Sequence, residues 1–160
     1  MKLFHKNNRL LAVCNGSCIP LSEIPDEAFS SGMLGLGVGF LPSDDRFYCP
    51  ADGQIQSIAE GKHAYTILTK EGAELLIHVG VDTVALKGEP FKTLVREGQT
   101  VRAGDPLVEV NCQKIRDHGL SDVTALLITN HEQIEILEYC HGQVTGGSSP
   151  ALVYRASRKG

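Results

Sequence analysis

Short apolar runs separated by turn-forming residues are the main pattern along this chain. Val, Ile, Leu, Tyr and Thr fill the runs, and dipeptides such as Asn15-Gly16 and Asp52-Gly53 stand between them. This pattern is typical of short strands joined by tight turns. It predicts strands at residues 38–41, 53–59, 64–69, 74–79, 107–110, 124–129 and 151–155.

Helical periodicity is weak and confined to short segments. Residues 113–117 and 132–138 are predicted to form short helices, and residues 24–31 a single helical turn. Strands with so few intervening helices favour an antiparallel β-sandwich or barrel. We therefore predict an all-β, barrel-like single domain with short helical turns over residues 10–160, preceded by a flexible polar segment at residues 1–9.

Composition and charge narrow the class of protein. The chain has 160 residues, is 42% hydrophobic and 21% charged, and carries a net charge of −4; the apolar content excludes a disordered chain. A slightly acidic chain lacks the basic stripe that nucleic-acid binding needs. No apolar run approaches the roughly 20 residues that span a bilayer. We expect a cytoplasmic protein that binds no nucleic acid and does not insert into a membrane.

The five cysteines are an odd number, so a closed disulfide framework cannot use them all. They are predicted to be reduced, apolar side chains, as in most cytosolic proteins. A structural zinc site built from Cys14, Cys18, Cys140 and His141 is the alternative.

The segment between His63 and His78 predicts a hairpin that could carry chemistry. Two apolar runs flank residues 69–72, which fit a four-residue turn closed by glycine. A turn centred between residues 70 and 71 places His63 directly opposite His78 on one face, with Cβ atoms roughly 4.5–5.5 Å apart. A loop of odd length would instead put the two side chains on opposite faces.

Two facing imidazoles suit metal binding, acid–base catalysis or covalent transfer of a phosphoryl group. Phosphoryl transfer needs one neutral imidazole as nucleophile, its other ring N–H held by a backbone acceptor, and a second imidazole that donates to the transferring oxygens. A zinc-dependent hydrolase that uses His63 and His78 is an alternative, although no third ligand lies nearby in sequence. On the hairpin alone, a purely structural histidine pair also stays open.

Sequence motifs around this hairpin resemble a known family. Residues 78–88 read HVGVDTVALKG, residues 49–55 read CPADGQI, and residues 25–29 read PDEAF. Together they resemble the glucose-type IIA component (EIIA type-1 domain) of the bacterial phosphoenolpyruvate-dependent sugar phosphotransferase system. The resemblance extends from about residue 12 to residue 155. It implies an all-β cytoplasmic phosphocarrier that requires no cofactor, with HPr as phosphoryl donor and the IIB domain of a glucose/glucoside-class permease as acceptor.

The resemblance also implies roles for individual residues. His78 matches the histidine that accepts the phosphoryl group on the ring nitrogen remote from the backbone, and His63 matches the second, unphosphorylated histidine. The Gly80 carbonyl is expected to hold the other ring nitrogen of His78. Zinc bound between the two histidines is compatible with this site but not required. The residues expected at the site rim and partner-docking surface are Asp26, Asp82, Phe29 and Leu76.

One departure from the family and one rival interpretation remain. The best-known branch has a threonine two residues before the second histidine, whose hydroxyl can orient that imidazole, whereas this chain has Gly61. A water or a backbone carbonyl must then orient His63. Residues 96–110 also resemble lipoyl and biotinyl domains, which suggests a swinging-arm carrier or binding module; that alternative lacks the modified lysine and leaves the histidine pair unexplained.

Overall fold

The computed structural model describes residues 6–157, most of whose regular structure is strand. The strands are β1 (Asn8–Leu11), β2 (Cys14–Pro20), β3 (Leu36–Tyr48), β4 (Gly53–Ile58), β5 (Ala64–Thr69), β6 (Glu74–Val79), β7 (Phe91–Thr93), β8 (Thr100–Val101), β9 (Pro106–Val110), β10 (Thr124–Ile128), β11 (Ile134–Tyr139), β12 (Gly142–Val144) and β13 (Pro150–Ala156). The helices are α1 (Glu27–Ser30) and α2 (Cys112–Asp117), with 3-10 turns at Leu21–Glu23, Thr83–Leu86 and His131–Gln133. Within residues 6–157, no helix has the length and apolar character needed to cross a membrane.

The strands form two antiparallel sheets. The larger sheet has the order β12-β2-β3-β10-β6-β5-β4-β8, and β9 pairs with the far end of β3 and with β7. The smaller sheet has the order β1-β13-β11. The predicted all-β, antiparallel fold with short helical turns is confirmed.

Apolar side chains cover both faces of the larger sheet around β6 and β10. The main core contains Phe40, Tyr65 and Leu126, all with no exposed surface. A smaller cluster lies on the other face, where Ala125 and Leu127 of β10 stand opposite His78 and Leu76 of β6. Ile24 and Phe29, from the segment around α1, complete this cluster. The α1 segment is therefore packed against the sheet face that carries His78.

Most of the predicted elements are found. The strands predicted at 64–69 and 74–79 have those bounds, and the other five predicted strands overlap β3, β4, β9, β10 and β13. The helix predicted at 113–117 lies within α2, and the single turn predicted in 24–31 contains α1. The strands β1, β2, β7, β8, β11 and β12 were not predicted. β1 begins at Asn8, inside the segment expected to be flexible, whereas residues 1–5 of that segment lie outside the described residues.

The helix predicted at 132–138 is wrong. This segment is a 3-10 turn followed by β11, which pairs with β13. Ile134 and Ile136 pack against the core, while Glu135 and Leu137 between and beyond them are exposed. A strand partner from the end of the chain decided the structure of a segment whose local pattern was ambiguous.

Candidate functional site

The hairpin of β5 and β6 has a register one residue away from the predicted one. Ala64, not His63, stands opposite His78. The turn is odd because Thr69 N donates to the Ala73 carbonyl at 2.9 Å, and the Thr69 hydroxyl accepts from Ala73 N at 2.8 Å. The predicted direct pairing of the two histidines is therefore wrong.

The two histidine rings nevertheless lie side by side. The ring centroids of His63 and His78 are 5.2 Å apart, and the ring planes meet at 76°. His63 precedes β5, after a bend in which Lys62 has a left-handed φ of 62°. Its carbonyl still accepts from Val79 N at 2.8 Å. Because the bend ends the regular alternation of faces at Ala64, an odd loop does not separate the two imidazoles.

His78 is partly buried at the end of β6, and its tautomer is defined by one hydrogen bond. Its Nδ1 lies 2.9 Å from the Gly80 carbonyl oxygen. Because a carbonyl only accepts, Nδ1 carries the proton and Nε2 of the neutral ring keeps its lone pair. The contact expected of Gly80 is present.

The backbone at Gly80 requires glycine. Its φ is +80°, and a Cβ there would lie 2.4 Å from Thr83 Cγ2 and 2.9 Å from the Ser121 carbonyl oxygen. Both the left-handed conformation and the close packing exclude an ordinary side chain. The carbonyl that holds His78 is thus positioned by a turn that this residue permits.

The surroundings of His78 favour its neutral form. Burial lowers the pKa of His78, since the charged imidazolium loses solvation. The Gly80 hydrogen bond opposes this effect, the neighbouring His63 lowers the pKa further, and the charges of Asp26 and Asp82 raise it. A neutral ring with a free Nε2 lone pair is a competent nucleophile near neutral pH.

His63 is 9% exposed. Burial lowers its pKa, and the nearby Gly61 backbone opposes that shift. Nδ1 of His63 makes no hydrogen bond of ordinary geometry within residues 6–157. A Cβ at position 61 would lie only 2.9 Å from this Nδ1. Gly61 therefore makes room for the imidazole, which packing holds in place.

The α1 segment supplies the wall behind His78. Asp26 is the N-cap of α1, and its Oδ1 accepts from Ala28 N at 3.0 Å. The Phe29 ring lies 4.9 Å from the His78 ring, tilted by 55°, and is only 5% exposed. The prediction that Phe29 lies at an exposed docking rim is wrong, because it packs inward with Leu76, which is itself partly buried.

Asp82 is an exposed acidic residue at the edge of the site. It has a left-handed backbone with φ of 62° and precedes the 3-10 turn Thr83–Leu86. Its side chain makes no capping hydrogen bond to that turn. Asp82 therefore does not serve as a turn cap, and its charge acts on His78.

Three exposed apolar side chains that were not expected at the rim lie in the segments that flank the site. Met33 and Leu34 follow α1 and are 75% and 40% exposed, and Val84 follows Asp82 and is 60% exposed. Met33 and Leu34 stand between two glycines, a loop signal that could have marked them as exposed. Exposed apolar side chains of this size are candidates for contacts with a partner.

The histidine pair supplies too few ligands for a metal centre of its own. Across the described part of the chain, no three His, Cys, Asp or Glu residues come together as a metal-binding group. A zinc ion between His63 and His78 would need further ligands from elsewhere.

The fold and the site together define an all-β domain with a paired-imidazole centre on one sheet face. The family model of the phosphoenolpyruvate-dependent sugar phosphotransferase system, EIIA 1, matches residues 8–134, and the chain belongs to this family. Membership confirms the family that the sequence motifs indicated. It favours a phosphotransferase-system component over the lipoyl-like carrier and the zinc hydrolase.

Two relatives support this assignment. The PTS system glucose-specific EIICBA component of Staphylococcus saprophyticus is 43% identical over 122 residues, which cover 76% of this chain and 18% of that protein. This chain thus spans less than a fifth of that relative's length. The solved structure of glucose permease IIA from Mycoplasma capricolum is 35% identical with a TM-score of 0.89, covering 96% of this chain and 99% of that one.

Proposed function

We propose that this chain is a cytoplasmic phosphocarrier that accepts a phosphoryl group from phospho-HPr on Nε2 of His78. The group then passes to the IIB domain of a glucose/glucoside-class permease. The observation that carries the proposal is the 2.9 Å contact between His78 Nδ1 and the Gly80 carbonyl, which leaves Nε2 as the nucleophile. HPr and IIB are inferred from family membership, and the sugar class from the names of the two relatives.

Acceptance is an in-line displacement at phosphorus. The Nε2 lone pair of His78 forms the new N–P bond while the bond from phosphorus to the donor's histidine nitrogen breaks, and the donor keeps that electron pair. Positive charge then develops on the His78 ring, and the Nδ1–H bond to Gly80 becomes charge-assisted and stronger. Burial opposes this charge, which keeps the phosphorylated ring ready to pass the group on.

His63 is proposed to act on the phosphoryl oxygens. With its ring centroid 5.2 Å from that of His78, a ring N–H of His63 can reach oxygens of a group in flight on Nε2. A donor placed where charge develops stabilises the transition state. Because burial lowers the pKa of His63, we assign it the role of a neutral hydrogen-bond donor rather than a fixed cation.

Partner docking is proposed at the surface around the site. Met33, Leu34 and Val84 offer exposed apolar side chains, and the partly exposed Asp26 and the exposed Asp82 add negative charge beside the histidines. This combination suits a basic partner surface with an apolar centre.

The direct test is incubation with phosphoenolpyruvate, enzyme I and HPr, followed by intact mass measurement. We expect an acid-labile gain of one phosphoryl group that is lost in His78→Ala and kept in His118→Ala, a control at an exposed histidine. Full labelling of His78→Ala would overturn the assignment. In His63→Gln we expect acceptance from HPr to survive while transfer to IIB falls, and an equal loss of both steps counts against the role of His63.

A further inference from the structure

Two cysteine thiols face each other outside the histidine site. Cys18 lies in β2, and Cys140 follows the end of β11. Their Sγ atoms are 3.0 Å apart, and Cys18 Sγ also donates to the Cys140 carbonyl at 3.3 Å. A movement of about 1 Å would bring the sulfurs to the roughly 2.05 Å of a disulfide bond.

The backbone holds both cysteines in ordered structure. Cys18 pairs with Gly142 across β2 and β12. Cys140 N donates to the Ala151 carbonyl at 2.9 Å, which ties it to β13. The approach of the two thiols is therefore set by the sheets on both sides and not by a chance arrangement of loops.

The two thiols differ in access to solvent. Cys18 is 2% exposed, whereas Cys140 is partly exposed. Cys140 also lines an open cavity of about 500 Å³, between the segment at Pro20 and the start of β3 at Leu36. Cys18 does not line this cavity, so a small oxidant that enters it reaches Cys140 before Cys18.

The contact between the two thiols also shifts their pKa values in opposite directions. The hydrogen bond between the two thiols lowers the pKa of Cys140, and the same bond together with burial raises the pKa of Cys18. The more exposed sulfur thus has more thiolate character, while its neighbour keeps its proton. This is the pattern of an attacking and a resolving cysteine.

We propose that Cys18 and Cys140 form a hydroperoxide-sensitive thiol pair that closes to an intramolecular disulfide. The Cys140 thiolate attacks one peroxide oxygen and the O–O bond breaks, which yields a sulfenic acid at Cys140 and releases the other oxygen as water or an alcohol. Cys18 Sγ then attacks the sulfenic sulfur, the S–S bond forms, and hydroxide leaves as water with the Cys18 proton. The two thiols lose two electrons and two protons, and the hydroperoxide is reduced.

The remaining cysteines serve as internal controls. Cys14, Cys49 and Cys112 are at most 3% exposed. Burial is the main cause that raises the pKa of both Cys49 and Cys112 to about 12. As buried, protonated thiols they are expected to be unreactive toward peroxide.

The test uses the full chain, reduced and then treated with a small excess of hydrogen peroxide. After quenching, remaining thiols are alkylated with N-ethylmaleimide in denaturant and counted by intact mass. We expect three adducts in place of five on the five cysteines, and a protein mass, apart from the adducts, that is lower by two hydrogens. Digestion should give a linked peptide pair that contains Cys18 and Cys140. Treatment with dithiothreitol before alkylation should restore all five adducts. Five adducts after peroxide, or a link between other cysteines, would overturn the proposal.

Variants separate the two steps of the reaction. Cys18→Ser should stop at a sulfenic acid on Cys140 that dimedone traps, whereas Cys140→Ser should keep all its thiols. Cys49→Ser should form the same disulfide as the parent chain. A dimedone adduct on a cysteine other than Cys140 contradicts the assigned order of attack. If a variant folds poorly, the thiol count on the unmodified chain still tests the proposal.

Discussion

Gly80→Ala is the sharpest test of how the fold positions His78. The substitution places a Cβ at a φ of +80°, 2.4 Å from Thr83 Cγ2 and 2.9 Å from the Ser121 carbonyl oxygen. The turn must shift to relieve these contacts, and the Gly80 carbonyl moves with it. Nδ1 of His78 then loses its 2.9 Å acceptor.

The expected loss of stability has two parts. A left-handed conformation costs a residue with a Cβ roughly 1–2 kcal/mol, and overpacking at a close contact adds about 1–3 kcal/mol. We therefore expect the free energy of unfolding to fall by about 2–5 kcal/mol in Gly80→Ala. Gly98→Ala is the matched control, because its φ is +86° with no atom within 4 Å of the added Cβ. Gly98→Ala should therefore show only the cost of the left-handed conformation, roughly 1–2 kcal/mol.

Three measurements follow the change. Urea unfolding gives the free energies for Gly80→Ala and Gly98→Ala. Imidazole nitrogen NMR shows whether His78 still carries its proton on Nδ1, and the rate of labelling by phospho-HPr reports the nucleophile. A shift of about 1 Å in a reacting group slows a reaction by up to about a hundredfold, so slower labelling is expected in Gly80→Ala only.

A double variant identifies the contact responsible. Thr83→Ser removes the methyl group that lies 2.4 Å from the added Cβ but keeps the hydroxyl that donates to the Val79 carbonyl. Gly80→Ala should destabilise the Thr83→Ser background less than the parent chain. Equal unfolding of Gly80→Ala and Gly98→Ala would refute the packing argument. Destabilisation with an unchanged labelling rate would refute the positioning of His78 by this carbonyl.

Three further predictions concern the same site. Burial lowers the pKa of His78 and His63, so below about pH 6.5 the unfolded chain binds more protons than the folded chain, and the free energy of unfolding should fall as the pH drops. Urea unfolding at several pH values should show that a chain with both histidines replaced by Gln lacks the part of this pH dependence that the two histidines supply. Asp26→Asn keeps a capping side chain but removes its charge, so NMR titration should show a lower His78 pKa at nearly unchanged stability, whereas Asp26→Ala should also lose about 1 kcal/mol in urea unfolding. Phe29→Ala should lower the free energy of unfolding by about 3–5 kcal/mol, whereas the exposed control Met33→Ala should stay within about 0.5 kcal/mol of the parent chain. Equal losses in the two variants would contradict the buried position of Phe29.

The hairpin shows how far local sequence can predict a site. Alternating apolar residues gave the correct bounds for β5 and β6, because that alternation directly reflects a half-buried strand. The register depended on the Thr69 hydroxyl bonding to Ala73 N, a turn detail that the apolar pattern does not encode. The rings still meet because Lys62 takes a left-handed conformation before β5. A lysine in the sequence does not predict a left-handed conformation.

Long-range pairing explains the other failures. β11 exists because β13 supplies its partner, and neither the turn before it nor its own glutamates predict that strand. The expected exposure of Phe29 was wrong for the same reason. Phe29 was expected at an exposed rim, yet it packs with Ala125 and Leu127 of a distant strand, while Met33, four residues on, is 75% exposed. Both residues are apolar and lie in one short segment. Only the sheet that passes beneath that segment decides which of them packs against His78 and which stays exposed.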